Sequence, residues 1–269
     1  MTGLGSLLPY PVASRVVPLV PTRFQRFVTV DNWKQAEIES AGYARLQAAS
    51  AEAKPLSPAP GPTKVRVFDS RELQLIAAFG VCLARCPSTD PVRVLDLGGF
   101  RGEHRSVIAS AFPDIPFIWT IVEIPEVATR LSSHADDQVQ WTSDLSAVAS
   151  LGADICLASA TLNYMPEPFD ALRTLAECAP HVIVTRLPLW PIAQHAIAIQ
   201  RPGRRTSASG YPTWFFSDER FREQLAELGT VVLEFVVPED RSYAAGHFGS
   251  YQGLVLRSSV LDNSETSRQ

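Results

Sequence analysis

The segment from Val92 to Gly102 constrains this chain more than any other. An apolar run, Val92 to Leu97, ends in Asp96-Leu97-Gly98-Gly99, and a helical pattern follows from Gly102 to about Phe112. A glycine turn between strand and helix lets a ligand approach the backbone, because glycine has no side chain and tolerates positive φ. The amino end of the following helix then offers unpaired N–H groups. The same grammar repeats. Strands are expected at 117–122, 139–141, 154–158 and 181–185, with helices at 125–132 and 167–178 between them. Such alternation predicts an α/β, Rossmann-like, doubly wound fold, with a mostly parallel sheet covered on both faces. After a helix at 218–228, the apolar runs at 231–237 and 254–257 have no helix between them. The expected sheet therefore has seven strands, with an antiparallel last strand.

The flanks read differently. Residues 1–63 are expected to form an amino-terminal arm: an extended stretch to residue 30, short helices over 31–53 broken near Gly42, and a Pro-rich linker at 55–63. Asp31 has N-cap character. Arg71 to Arg85 reads as a helix with Leu73, Ile76, Ala77, Gly80, Val81 and Ala84 on one face. Residues 64–258 form the expected main domain, and 259–269 a flexible tail. No internal repeat is visible.

Composition excludes several classes. Apolar residues make up 46% of 269, ample for a core, and 24 basic against 28 acidic residues leave no excess to attract nucleic acid. Four cysteines do not make a disulfide framework and fit a reducing cytoplasm. Prolines 9, 11, 18 and 21 interrupt the apolar start, which favours a soluble or peripheral arm over a cleaved signal. No run approaches the ~20 apolar residues of a spanning helix. Cys82 and Cys86 lack a second ligand pair nearby, so no metal is expected.

Chemistry-bearing residues fall at expected strand ends. Asp96, Gly98, Gly99 and Gly102 fit an acidic residue followed by a glycine turn, with Phe100 in place of the middle glycine. The dinucleotide pattern G-x-G-x-x-G is not met. Glu123 ends the second strand, where a carboxylate can accept from both hydroxyls of a ribose. Asp144 follows the third strand, either facing an adenine or capping a helix. The fourth opens into Ala158-Ser159-Ala160-Thr161-Leu162-Asn163-Tyr164. Small residues including Ser159 would admit a ligand, and Asn163 and Tyr164 would face an acceptor. Alternatively this stretch is a plain loop and helix start.

With these residues in place, the sequence resembles a family of class I methyltransferases often encoded among polysaccharide-biosynthesis genes. The resemblance runs from about residue 31 onward. It rests on Trp33-Lys34-Gln35-Ala36 with Gly42-Tyr43, the glycine turn, Trp119 to Pro125, Ala158 to Tyr164, Arg186-Leu187-Pro188, Gln200, Tyr211-Pro212-Thr213-Trp214 and Tyr251-Gln252-Gly253-Leu254. It implies S-adenosylmethionine (SAM) as cofactor, with methyl transfer, oxygen first, to a small-molecule or saccharide acceptor. A non-catalytic Rossmann-like module and a nicotinamide-linked oxidoreductase are the alternatives. The amino-terminal segment is expected to cap the ligand crevice or to mediate a homodimer, since Trp33 and Tyr43 need burial that short polar helices cannot supply.

One segment exceeds the ~2–6 residues usual between strand and helix. Residues 187–216 read as a lid-like insertion near the acceptor, with His195 as the expected general base and Arg201, Arg204 and Arg205 as anion binders. A buried helix over 191–199 is the competing reading.

Overall fold

The computed structural model describes residues 27–40, 66–86, 91–201, 210–244 and 246–261. The expected helices over 41–53, the linker at 55–63, Arg204, Arg205 and most of the tail lie outside these residues.

The parallel centre of the sheet is built from β2 (Val92–Leu97), β3 (Phe117–Val122), β4 (Val139–Thr142), β5 (Ile155–Ser159) and β6 (His181–Trp190). Their order is β4-β3-β2-β5-β6, and all four pairings are parallel. Beyond β6, a hairpin of β9 (Gly229–Ala244) and β10 (His247–Ser258) inserts with β10 antiparallel to both β6 and β9. The reversed strand expected near the carboxyl terminus is therefore observed.

Helices cover both faces. On one side α2 (Ser70–Leu83), α3 (Glu103–Ala111) and α4 (Pro125–Leu131) bury Leu75, Phe79, Val107, Ile108, Val127 and Leu131 against Trp119, Ile121 and Leu157. On the other, α5 (Leu145–Ala149), α6 (Pro168–Cys178) and α7 (Asp218–Leu228) pack on Leu95, Cys156, Val182 and Val184. Strands covered on both faces explain why β5 is apolar up to Ser159 and why β2 buries Val94, Leu95 and Leu97.

Two expectations need correction. Among the described residues the sheet has ten strands, not the seven expected. The segment 187–216, read as a lid-like insertion, continues β6 to Trp190 and then forms β7 (Ala196–Gln200) and β8 (Tyr211–Ser217), so the competing helix over 191–199 is not formed. β7 pairs antiparallel with β8 and with β1 (Phe27–Val30). One of its two partners, β1, thus comes from some 170 positions earlier, which a local pattern cannot reveal. A short helix, α1 (Trp33–Ile38), packs on this appended unit, with Trp33 stacked on Trp214 at 5.8 Å.

The second correction concerns α2. Its buried stripe is Leu75, Ala78, Phe79 and Cys82, while Leu73 is exposed. Two apolar stripes compete in this sequence. The stacking of Phe79 on Trp119 at 5.9 Å accompanies the one that is buried. A capping box of Asp69 and Glu72 starts the helix. Arg66 ties it to α3 through Glu72, Ser106 and Ser110.

Candidate functional site

The register aligns the carboxyl ends of the central strands. Leu97 pairs with Val122 and Ala158, and Ser159 with Thr185. The residues that follow these positions therefore converge at one end of the sheet, where open α/β sheets bind ligands.

The turn after β2 is tightly determined. Gly98 has φ +76°, and a β-carbon there would lie 2.3 Å from Thr161 Oγ1. At Gly99 an added β-carbon would lie 2.3 Å from Asp96 Oδ2. Gly102, at φ +86°, is the N-cap of α3. Phe100 holds φ +46° without being glycine, a left-handed conformation that costs ~1–2 kcal/mol. Two bonds secure it: its N–H donates to Glu123 Oε1 at 2.9 Å, and its carbonyl accepts from Trp141 Nε1 at 2.7 Å.

Asp96 is fully buried, and His104, on the first turn of α3, faces both its oxygens at 2.9 and 3.2 Å through Nδ1. Since a carboxylate only accepts, Nδ1 carries a proton. Burial pulls the imidazole pKa down. The facing Asp96, with Glu103 adding, outweighs burial and the nearby Arg186, so the net shift is upward from 6.5. Burial pushes the Glu123 carboxyl above its usual range. The amides of Ile124 and Phe100 offset this in part, while Asp96 and Glu103 push further up. Glu123 Oε2 accepts from Ile124 N–H at 3.1 Å. Each Glu123 oxygen thus spends one lone pair on an amide.

The turn after β5 meets the first one. Ala160 holds φ +52°, and Thr161 donates to Ser159 O at 3.1 Å while filling the space above Gly98. Ser159 Oγ accepts from Thr185 Oγ1 at 2.8 Å. Asn163 and Tyr164 lie in a short 3₁₀ turn, Leu162–Tyr164, that faces β7 and β8. Asn163, 1% exposed, donates to Thr213 Oγ1 at 3.0 Å, and its Oδ1 is buried without a partner. Tyr164 donates to Gln200 Oε1 at 2.9 Å and meets Tyr211 edge-on.

Two residues take other roles than expected. His195 Nδ1 accepts the Ser217 N–H at 2.9 Å, and its ring rests on Phe169 at 5.1 Å. With Nδ1 accepting, the neutral ring carries its proton on Nε2 and has no lone pair left for a base. Burial, with Arg220 adding, lowers its pKa as well. Asp144 takes the capping alternative: it is the N-cap of α5, and its Oδ1 accepts from Ala147 N–H at 2.9 Å.

The structure thus brings Asp96, Gly98, Gly99, Gly102 and Glu123 into one turn. Ser159 stands one strand over, while Asn163 and Tyr164 belong to a polar cluster with Gln200 and Thr213. His104, Thr161 and Trp141 were missed. Only His104 left a trace, as a titratable residue two positions after the last turn glycine. No group of three or more metal-ligating side chains occurs among the described residues, and no helix among them is long and apolar enough to cross a membrane.

No protein-family model matches the sequence, and no curated protein matches it. Solved structures resemble it distantly. The N-terminal domain of EvdMO1, crystallised in the presence of S-adenosylhomocysteine (SAH) and D-fucose, is 16% identical; the match covers 81% of this chain and 98% of that one, with a TM-score of 0.48. The Burkholderia thailandensis 1,6-didemethyltoxoflavin-N1-methyltransferase, with bound 1,6-didemethyltoxoflavin and SAH, is 17% identical over 77% of this chain and 99% of its own, with a TM-score of 0.42. The cyclase SpnF is 14% identical over 87% and 99%, with a TM-score of 0.48. At such identities the ligands and reactions belong to those proteins, since one fold hosts many chemistries.

Proposed function

We propose that this chain is a SAM-dependent methyltransferase acting on a small-molecule or sugar-type acceptor, with oxygen as the favoured nucleophile. The observation that carries the reading is the pairing of the Gly98–Gly102 turn with Glu123 at the end of the adjacent parallel strand. The donor set suits the cofactor. Glu123 keeps one lone pair on each oxygen, and an acceptor-only carboxylate matches the two hydroxyl donors of a ribose. The carboxylates of Asp96, Glu103 and Glu123 surround the turn, in keeping with a ligand that carries positive charge.

Bound SAM would supply an electrophilic methyl group. The chain's own residues bind, orient and exclude water. Glu123 would hold the ribose, and the glycines would admit the methionyl part beside Asp96. The polar cluster of Asn163, Tyr164, Gln200 and Thr213 would orient the acceptor, with Ser159 beside it. Methyl transfer is an in-line displacement, so alignment and desolvation supply much of the rate. With His195 committed to Ser217, no base is assigned. The resemblance to the family found among polysaccharide-biosynthesis genes agrees with this reading. We further propose a homodimer and a cytoplasmic setting.

A non-catalytic binding module is the second reading, favoured by Phe100 at φ +46° in the turn. Calorimetric titration with SAM, SAH and NAD separates the possibilities. SAM and SAH are expected to bind and NAD not. No binding of SAM or SAH at millimolar concentration sinks the methyltransferase reading, and NAD binding instead promotes an oxidoreductase.

A further inference from the structure

The pair of Asp96 and His104 is built as a clamp. Asp96 is fully buried, and among the described residues its carboxylate has one side-chain hydrogen-bond partner, the imidazole that spans both oxygens. A carboxylate removed from water needs a counter-charge or several donors. His104 is 20% exposed at its side chain, so the ring links the buried acid to the site surface. The glycine turn lies between the two residues in sequence and against them in space. Gly99 tolerates Asp96 only because it has no β-carbon, and the Gly102 amide donates to Gly99 O at 2.9 Å. The groups facing the ring are Asp96 from β2, Glu103 from its own helix and Arg186 from β6, where Arg186 itself holds φ +56°.

We propose that His104 is a positioning residue: its ion pair with Asp96 holds the Gly98–Gly102 turn in the ligand-binding form, and so links ligand affinity to the protonation of one histidine. The sign follows from the geometry. The protonated ring neutralises Asp96 and fixes the turn. Loss of that proton leaves a neutral donor in its place and loosens the clamp. While Glu123 remains a carboxylate, affinity is therefore greater on the acid side of the histidine midpoint and falls as pH rises through it, by up to about tenfold per pH unit if only the protonated form binds.

The inference rests on the methyltransferase reading for its ligand, and the test separates the two. Proton–carbon NMR follows the His104 ring in the full chain without ligand, while the amides of Gly99 and Gly102 are followed in parallel. The clamp requires the ring to titrate above 6.5, both amides to shift with the same midpoint, and all three to lose that midpoint in Asp96→Asn. Amides that ignore the titration, or a midpoint unchanged in Asp96→Asn, overturn the proposal whatever binds. SAH titrations from pH 6 to 9 then compare wild type with His104→Asn and His104→Lys. The expected result is a wild-type affinity that falls with pH, a weak and flat profile for His104→Asn, and recovery of a flat but tighter profile in His104→Lys. A flat wild-type profile overturns the link to binding. Failure of SAH to bind at any pH overturns the methyltransferase reading instead, and the NMR midpoints still decide the clamp.

Discussion

Gly98 offers the sharpest test of the turn. Replacing it with alanine has two separable effects. The backbone sits at φ +76°, and a side chain there costs ~1–2 kcal/mol. The new β-carbon also falls 2.3 Å from Thr161 Oγ1 and 2.7 Å from its Cγ2. Thr161 is half-buried and bonded to Ser159 O, so it does not swing away freely, and overpacking adds ~1–3 kcal/mol. Gly98→Ala should therefore lose roughly 2–5 kcal/mol of stability. Thr161→Ala removes one hydrogen bond and should lose about 1 kcal/mol. In that background most of the clash is gone, and Gly98→Ala should cost only the backbone part, ~1–2 kcal/mol. The cycle thus predicts a coupling of ~1–3 kcal/mol that makes the double variant more stable than the sum of the single ones. Equilibrium urea unfolding of the four proteins measures it. Effects that add to within ~0.5 kcal/mol would show that Thr161 does not fill the space above Gly98, and the account of how the β2 and β5 turns interlock would fail.

Further expectations follow from the same geometry. Glu123→Ala removes the acceptor of two backbone amides and the proposed ribose anchor, so SAH affinity should fall at least tenfold, to be read by calorimetry; hydrogen bonds to charged groups are worth ~1.5–3 kcal/mol each. His195→Ala should cost ~1–3 kcal/mol by stranding the Ser217 amide, yet lower turnover less than tenfold once an acceptor is found; a larger drop would restore His195 as a base. His181 is buried with both ring nitrogens unpartnered, and burial, with Arg85 and Arg257, lowers its pKa below 6.5. The unfolded chain then takes up the proton first as pH falls, so stability should decline below 6.5, and His181→Phe should lessen that decline in thermal melts at pH 5.5 and 7.5. Trp33→Ala should destabilise the β7–β8 unit by roughly 2 kcal/mol, since an aromatic pair is worth ~0.5–1.5 kcal/mol beyond its buried area, as measured by loss of amide protection over Ala196–Gln200.

The sequence by itself determined the parallel half of this protein. The runs at 92–97 and 117–122 lie where strands are observed, because strands covered on both faces are mostly apolar and the turn after the first needs glycine at positive φ. Those constraints are local, so the strand ends that carry Asp96, the turn glycines and Glu123 could be placed from the chain, and the structure brings them together. What was not local was not legible. β7 lies between β8 and β1, and β1, some 170 positions earlier, pairs with it residue for residue. His195 faces Ser217 and not a ligand because β6 and β8 run side by side at Trp190 and Ser217. Asp144 and α2 presented two locally equivalent choices each, capping or ligand, one stripe or the other. His104 left only its place two positions after the last turn glycine, and its pairing with Asp96 came from the folded turn. Hydrophobic periodicity and turn chemistry act over a few residues and are written in the chain. Partner choice, helix phase and the pairing of a buried acid depend on what arrives from elsewhere, and only the tertiary structure supplies it.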